Sequence, residues 1–141
     1  MYDFTPRAKQ VLRLAEIESG RLDRKDIGTE QLLFGIIYIN QGRVYSAMSK
    51  QGPVKFTLAN GRISPEESEA SPTDIPFSPR SKKAIESALE KSRSLEQEYI
   101  GPEHIFLGLL GEKEGEAYKV LNESPLDLAK LEKDVIGEIK S

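Results

Sequence analysis

The sequence predicts an all-α fold: two tandem repeats of about four helices each, packed together as one pseudo-twofold domain. Three observations carry this. Residues 4–37 match residues 77–110 at a constant offset of 73, and such self-similarity is the mark of a duplicated structural unit. Each copy opens on a hydroxyl–proline pair. Behind each pair, apolar residues recur at helical spacing, punctuated by glycines at matching positions.

The register is dense. Phe4 meets Phe77, Pro6 meets Pro79, Arg7 meets Arg80, Lys9 meets Lys82, Ala15 meets Ala88, Ser19 meets Ser92 and Leu22 meets Leu95. Ile27 and Gly28 meet Ile100 and Gly101, Glu30 meets Glu103, Gly35 meets Gly108, Gly42 meets Gly115 and Tyr45 meets Tyr118. The boundaries that follow are 1–63 for the first repeat, 64–76 for a linker and 77–141 for the second repeat. The linker is rich in proline, glutamate and serine, a composition with little apolar surface to bury.

The first helix of each copy begins at Thr5-Pro6 or Ser78-Pro79, a hydroxyl N-cap followed by proline at the first helical position. Ala8, Val11, Leu12, Ala15 and Leu22 then share one face. Ala84, Ile85, Ala88, Leu89 and Leu95 do the same in the second copy. Gly28 and Gly101 open a second helix, and Pro102 sits in the first turn, where proline is tolerated. Leu32, Leu33, Ile36 and Ile37, and in the second copy Ile105, Phe106, Leu109 and Leu110, make that helix apolar on more than one side. It is therefore the expected buried centre of each repeat. Gly42 and Gly115 start a short third helix. Leu128, Leu131, Val135 and Ile139 form the stripe of a fourth in the second copy. The corresponding part of the first copy reads differently: the stretch 54–58 alternates like a strand, and Asn60-Gly61 is a turn signal. Phe4 and Phe77 are expected as half-buried staples ahead of their helices. A unit of ~65 residues has a marginal core by itself, so the copies are expected to share one.

Composition excludes several classes of function. A net charge of −3 gives no broad basic field for nucleic acid. No apolar run approaches the ~20 residues that span a bilayer, and the N-terminus has no signal-like apolar stretch. Neither nucleic acid nor a membrane is therefore an expected partner, and a cytoplasmic address is the default. Cysteine is absent, which removes disulfides, thiolate nucleophiles and cysteine metal sites. His104 is the sole histidine and follows Glu103. Without a second histidine the pair is no zinc site, and Gln31 replaces it in the first copy, so a capping or surface role is expected. No metal site and no catalytic residue is expected: serine has no evident base and no Gly-x-Ser-x-Gly elbow. The acidic run around Glu66, Glu67 and Glu69 reads as solvated linker.

The runs Phe4-Thr-Pro-Arg-Ala-Lys9, Ile27-Gly-Thr-Glu30 and Leu32-Leu-Phe-Gly35 resemble the Clp N-terminal repeat, as do Phe77-Ser-Pro-Arg-Ser-Lys82 and the second-copy run from Ile100 to Leu110. The likeness is to the ClpC type, with an Ile-Gly-x-Glu turn in both copies. It implies a non-catalytic domain that receives substrate and adaptor proteins and passes them to the ATPase ring of a Clp unfoldase, the isolated domain being a monomer. The alternative is a free-standing accessory protein that binds and modulates the Clp complex. No Gly-x-x-x-x-Gly-Lys-Ser/Thr phosphate loop is present, so no cofactor is expected in this chain. ATP would belong to the parent unfoldase, outside this segment.

The resemblance also implies a ligand, phosphorylated arginine, recognised by Glu30 and Glu103. A carboxylate can hold the guanidinium by paired charge-assisted hydrogen bonds, and a capped helix N-terminus offers donors to phosphate. Thr5 and Ser78 stand at such caps, with Arg7 and Arg80 beside them to steer a phosphate. The expected sites are one around Thr5 and Glu30 and one around Ser78 and Glu103. A plain structural account competes: a first-turn glutamate is favoured by the helix dipole, by roughly 0.3–1 kcal/mol, and duplication copies structural residues as faithfully as functional ones.

Overall fold

In a computed structural model, residues 3–39, 42–52 and 75–140 are described. They form seven helices. The first copy contributes α1 (Pro6–Arg21), α2 (Thr29–Ile39) and α3 (Gly42–Ser49). The second contributes α4 (Pro79–Ser94), α5 (Pro102–Gly111), α6 (Glu116–Glu123) and α7 (Leu128–Lys140). The strand-like stretch 54–58, the Asn60-Gly61 turn, and the linker up to residue 74 lie outside the described residues. Among the described residues no helix is long and apolar enough to cross a membrane.

The helix starts are those the sequence predicts. Thr5 Oγ1 accepts from the Ala8 N–H at 3.1 Å, and Ser78 Oγ accepts from the Ser81 N–H at 3.1 Å. Each satisfies one donor that a helix start leaves open. The repeat reaches into backbone conformation at the other end. α1 and α4 both run into a left-handed residue, Asp23 at φ 56° and Glu96 at φ 60°, 73 positions apart. These reverse the chain as a glycine commonly would, and no glycine marks either place. Arg24 N–H donates to the Ser19 carbonyl (2.9 Å) and Gln97 N–H to the Ser92 carbonyl (2.8 Å), closing equivalent turns.

α2 and α5 are the buried central helices. Residues 31–36 and 103–110 are all buried, and Leu32, Leu33, Ile105 and Phe106 have essentially no exposed surface. Each lies against the first helix of its own copy through a glycine. A Cβ at Gly35 would stand 2.6 Å from the Val11 carbonyl oxygen, and one at Gly108 would overlap the Ala84 carbonyl. Much of the remaining packing crosses between copies: α3 on α7, α2 on α6, α2 on α5, α1 on α5, α2 on α4. One apolar cluster accordingly holds residues of both copies, from Ala8 to Ile139.

The clearest cross-connection is a reciprocal pair of parallel β-bridges, Phe4 with Ile100 and Ile27 with Phe77. Thr5 N–H donates to the Ile100 carbonyl (2.9 Å) and Ile100 N–H to the Asp3 carbonyl (2.7 Å). Ser78 N–H donates to the Ile27 carbonyl (2.9 Å) and Ile27 N–H to the Pro76 carbonyl (2.8 Å). Under the 73-residue offset these two sets are the same bonds with the copies exchanged. Phe4 and Phe77 are half-buried, but the backbone at each is tied to the other copy's turn.

Candidate functional site

The bridges dictate which residues meet. Because the segment before α1 pairs with the turn before α5, the Thr5 cap faces Glu103, not Glu30. A cavity of about 740 Å³ is lined there by Thr5, Pro6, Arg7, Gln10, Arg43, Pro102 and Glu103. Its counterpart, about 420 Å³, is lined by Ser78, Pro79, Arg80, Lys83, Thr29 and Glu116, together with Arg24, Gly28 and Glu114. The expected pairing of Thr5 with Glu30 and of Ser78 with Glu103 is thus corrected: each cap is matched with the glutamate turn of the opposite copy. The sequence register could not separate the two pairings, since an offset maps either onto itself.

In the first cavity, Glu103 is 8% exposed and Arg43 Nη1 lies 3.7 Å from its Oε1. Burial raises the Glu103 pKa, while Arg43, the Glu103 backbone N–H and Arg7 oppose the rise. Two guanidinium groups and one carboxylate therefore converge beside the start of α1. Arg43 was not among the residues singled out from the sequence. The signal was there in register: position 43 is arginine where position 116 is glutamate.

In the second cavity the charges are arranged differently. Thr29, not Glu30, lines its wall; the pKa of Glu30, next in the chain, is raised by burial and by Glu116, with Arg24 opposing. Arg24 Nη2 is held by Asp26 at 2.8 Å. Arg80 is held by Glu112 at 3.0 Å and Glu114 at 3.5 Å. Ser78 Oγ–H donates to Ser81 Oγ at 3.1 Å, a partner that Ala8 cannot supply to Thr5. Thr29 Oγ1 accepts from the Ala117 N–H at 3.1 Å and so caps α6 from the other copy.

His104 does not face either cavity as an acid–base group. It is 2% exposed, and Nδ1 accepts from the Gly101 N–H at 2.8 Å. Burial foremost, then Arg43, lowers its pKa to about 4. Of the two roles expected, capping is observed and surface exposure is not. Gln31 does the same work in the first copy, accepting from the Gly28 N–H at 3.1 Å. Glutamine cannot replace histidine in proton chemistry, yet either offers the acceptor this turn needs.

The family model described as "Clp repeat (R) N-terminal domain" matches residues 68–141. The chain belongs to that family. A ClpA homolog described as an ATP-dependent Clp protease ATP-binding subunit, from Cyanidium caldarium, is 41% identical over 96% of this chain. ClpC/MecB of Bacillus subtilis, described as a negative regulator of genetic competence, is 39% identical over 94% of it. The chain spans 16% of the length of each of these relatives. The crystal structure of the N-terminal domain of the chaperone ClpD from Arabidopsis thaliana superposes with a TM-score of 0.72 at 25% identity, covering 99% of this chain and 96% of that one. The Hsp104 N-terminal domain from Candida albicans shares the fold at TM-score 0.71 and 14% identity. The described residues share the all-helical fold of these Clp N-domains.

Proposed function

We propose that this Clp N-domain is the substrate- and adaptor-docking domain of a Clp ATP-dependent unfoldase in the cytoplasm, non-catalytic itself, which delivers proteins marked by phosphoarginine for unfolding and degradation. ATP, in this reading, is bound by the ring of the parent protein. The observation that carries the ligand assignment is the convergence of Thr5, Arg7, Arg43 and Glu103 on one cavity. Phosphoarginine presents a guanidinium and a phosphate on a single side chain. A buried carboxylate suits the first and two arginines beside a capped helix start suit the second. The likeness to Clp ATP-binding subunits supports the docking role. The same reading treats Ser78, on the wall of the second cavity, and Glu30, next in the chain to its Thr29, as the corresponding groups.

Isothermal titration calorimetry with free phosphoarginine tests this. Binding to the wild type and its loss in a Glu30→Ala/Glu103→Ala double variant of unchanged helicity is the expected result. No heat of binding to the wild type removes phosphoarginine as the ligand.

A further inference from the structure

The two cavities share a plan but place their charges differently. Position 43, at the start of α3, is arginine and places a guanidinium 3.7 Å from Glu103. Position 116, its counterpart at the start of α6, is glutamate and lines the other cavity. The neighbouring cations differ as well. In the second cavity Arg24 and Arg80 are engaged by Asp26, Glu112 and Glu114, as Arg43 is by Glu103 in the first, and Lys83 stands where the first cavity has Gln10. A phosphate carries about −1.5 to −2 charge near neutral pH. At the first cavity it meets Arg43 beside Arg7; at the second it meets the Glu116 carboxylate at the corresponding place, with Lys83 and the paired Arg80 on the other walls.

We propose that Arg43 and Glu116 are the specificity-determining residues of the pair, so that the domain holds one working phosphoarginine cavity, at Thr5, Arg43 and Glu103, and one that Glu116 closes to phosphate. This rests on the phosphoarginine reading above and assigns it to one half of the molecule. Binding is then one ligand per chain, despite the duplication. The asymmetry resides in side chains, Arg43 and Glu116 foremost, not in the shared framework of caps, turns and bridges.

Charge exchange tests it. The full chain is titrated with free phosphoarginine by calorimetry, and amide shifts of Ala8 and Glu103 are followed against those of Ser81 and Glu30 by NMR. The wild type is expected to bind one equivalent and to shift only the first set. Arg43→Glu is expected to weaken binding more than tenfold, and Glu116→Arg to raise the stoichiometry to two. The double exchange R43E/E116R is expected to bind one equivalent again, now shifting Ser81 and Glu30. Two equal sites in the wild type, or R43E with unaltered affinity, overturn this inference and leave the ligand assignment standing. No binding by the wild type overturns both. Because both positions are exposed, the fold is expected to survive. Should either charge reversal unfold it, Arg43→Gln and Glu116→Gln give the same contrast, with weaker binding in the first and a second site in the other.

Discussion

Gly108 lies so close to Ala84 that a Cβ on it would overlap the Ala84 carbonyl oxygen. The pair joins α5 to α4, and Gly35 with Val11 is the same contact in the first copy, with a Cβ at 2.6 Å from the oxygen. The obstacle is backbone, which has no rotamer to yield. Gly108→Ala is therefore expected to destabilise the domain by roughly 1–3 kcal/mol, the usual range for overpacking, despite alanine's better helix propensity. Gly35→Ala is expected to cost less. Urea denaturation of both variants measures this, and a stabilised Gly108→Ala would mean that the helices separate freely.

His104 gives the domain a pH dependence of definite sign. Its imidazole is held neutral in the fold, with a pKa lowered from 6.5 to about 4. The unfolded chain therefore takes up a proton first as acid is added. The stability His104 contributes is complete above pH 6.5 and is lost as pH falls through about 4, on the order of 3 kcal/mol in all. Glu30 and Glu103, whose pKa values are raised, act in the opposite sense, so the wild-type curve alone mixes the two. His104→Gln keeps the acceptor, as Gln31 shows, and removes the titration. The gap in melting temperature between His104→Gln and wild type is expected to move in the variant's favour from pH 7 to pH 4. A constant gap would show that His104 is not buried neutral.

Thr29 caps a helix that is not its own. Its hydroxyl accepts from the Ala117 N–H at 3.1 Å across 88 residues of chain. Thr29→Val keeps the shape and removes the acceptor, leaving a buried N–H without its partner. A loss of about 1 kcal/mol is expected, read as a lower urea midpoint. Hydrogen exchange should speed at Ala117 and leave Ala8, capped by Thr5, as it was.

Much of this was legible because the fold obeys local rules. The hydroxyl–proline pairs that precede an apolar helical stripe, Thr5-Pro6 and Ser78-Pro79, start helices, whereas Ser124-Pro125 only ends one, and an apolar run such as Ile105 to Leu110 has to be buried all round. The duplication then doubled every signal. What remained hidden was relational. Nothing local distinguishes a cap that meets its own repeat's glutamate from one that meets the other's; the sequence pairs Thr5 with Glu30, and the bridges give it Glu103. Arg43 carries no mark of its own in the register, because the electrostatic difference between the cavities lies where the copies disagree. The left-handed residues Asp23 and Glu96 carry no glycine to announce them. The stretch 54–58, which read least like its counterpart, lies outside the described residues.

The exchanged bridges at Phe4–Ile100 and Ile27–Phe77 turn a question of folding into one of mass action. Cut between residues 63 and 64, the halves would become reactants in a bimolecular association, each lacking the strand partner the other holds. Their structure would then depend on dilution: a single half at micromolar concentration is expected to show little helix by circular dichroism, and the equimolar mixture to recover it. In the intact chain the tether sets an effective concentration that no expression level alters. A duplicated gene thereby makes the equivalent of a homodimer that cannot dissociate, and whose two faces, freed from symmetry, can acquire different charges.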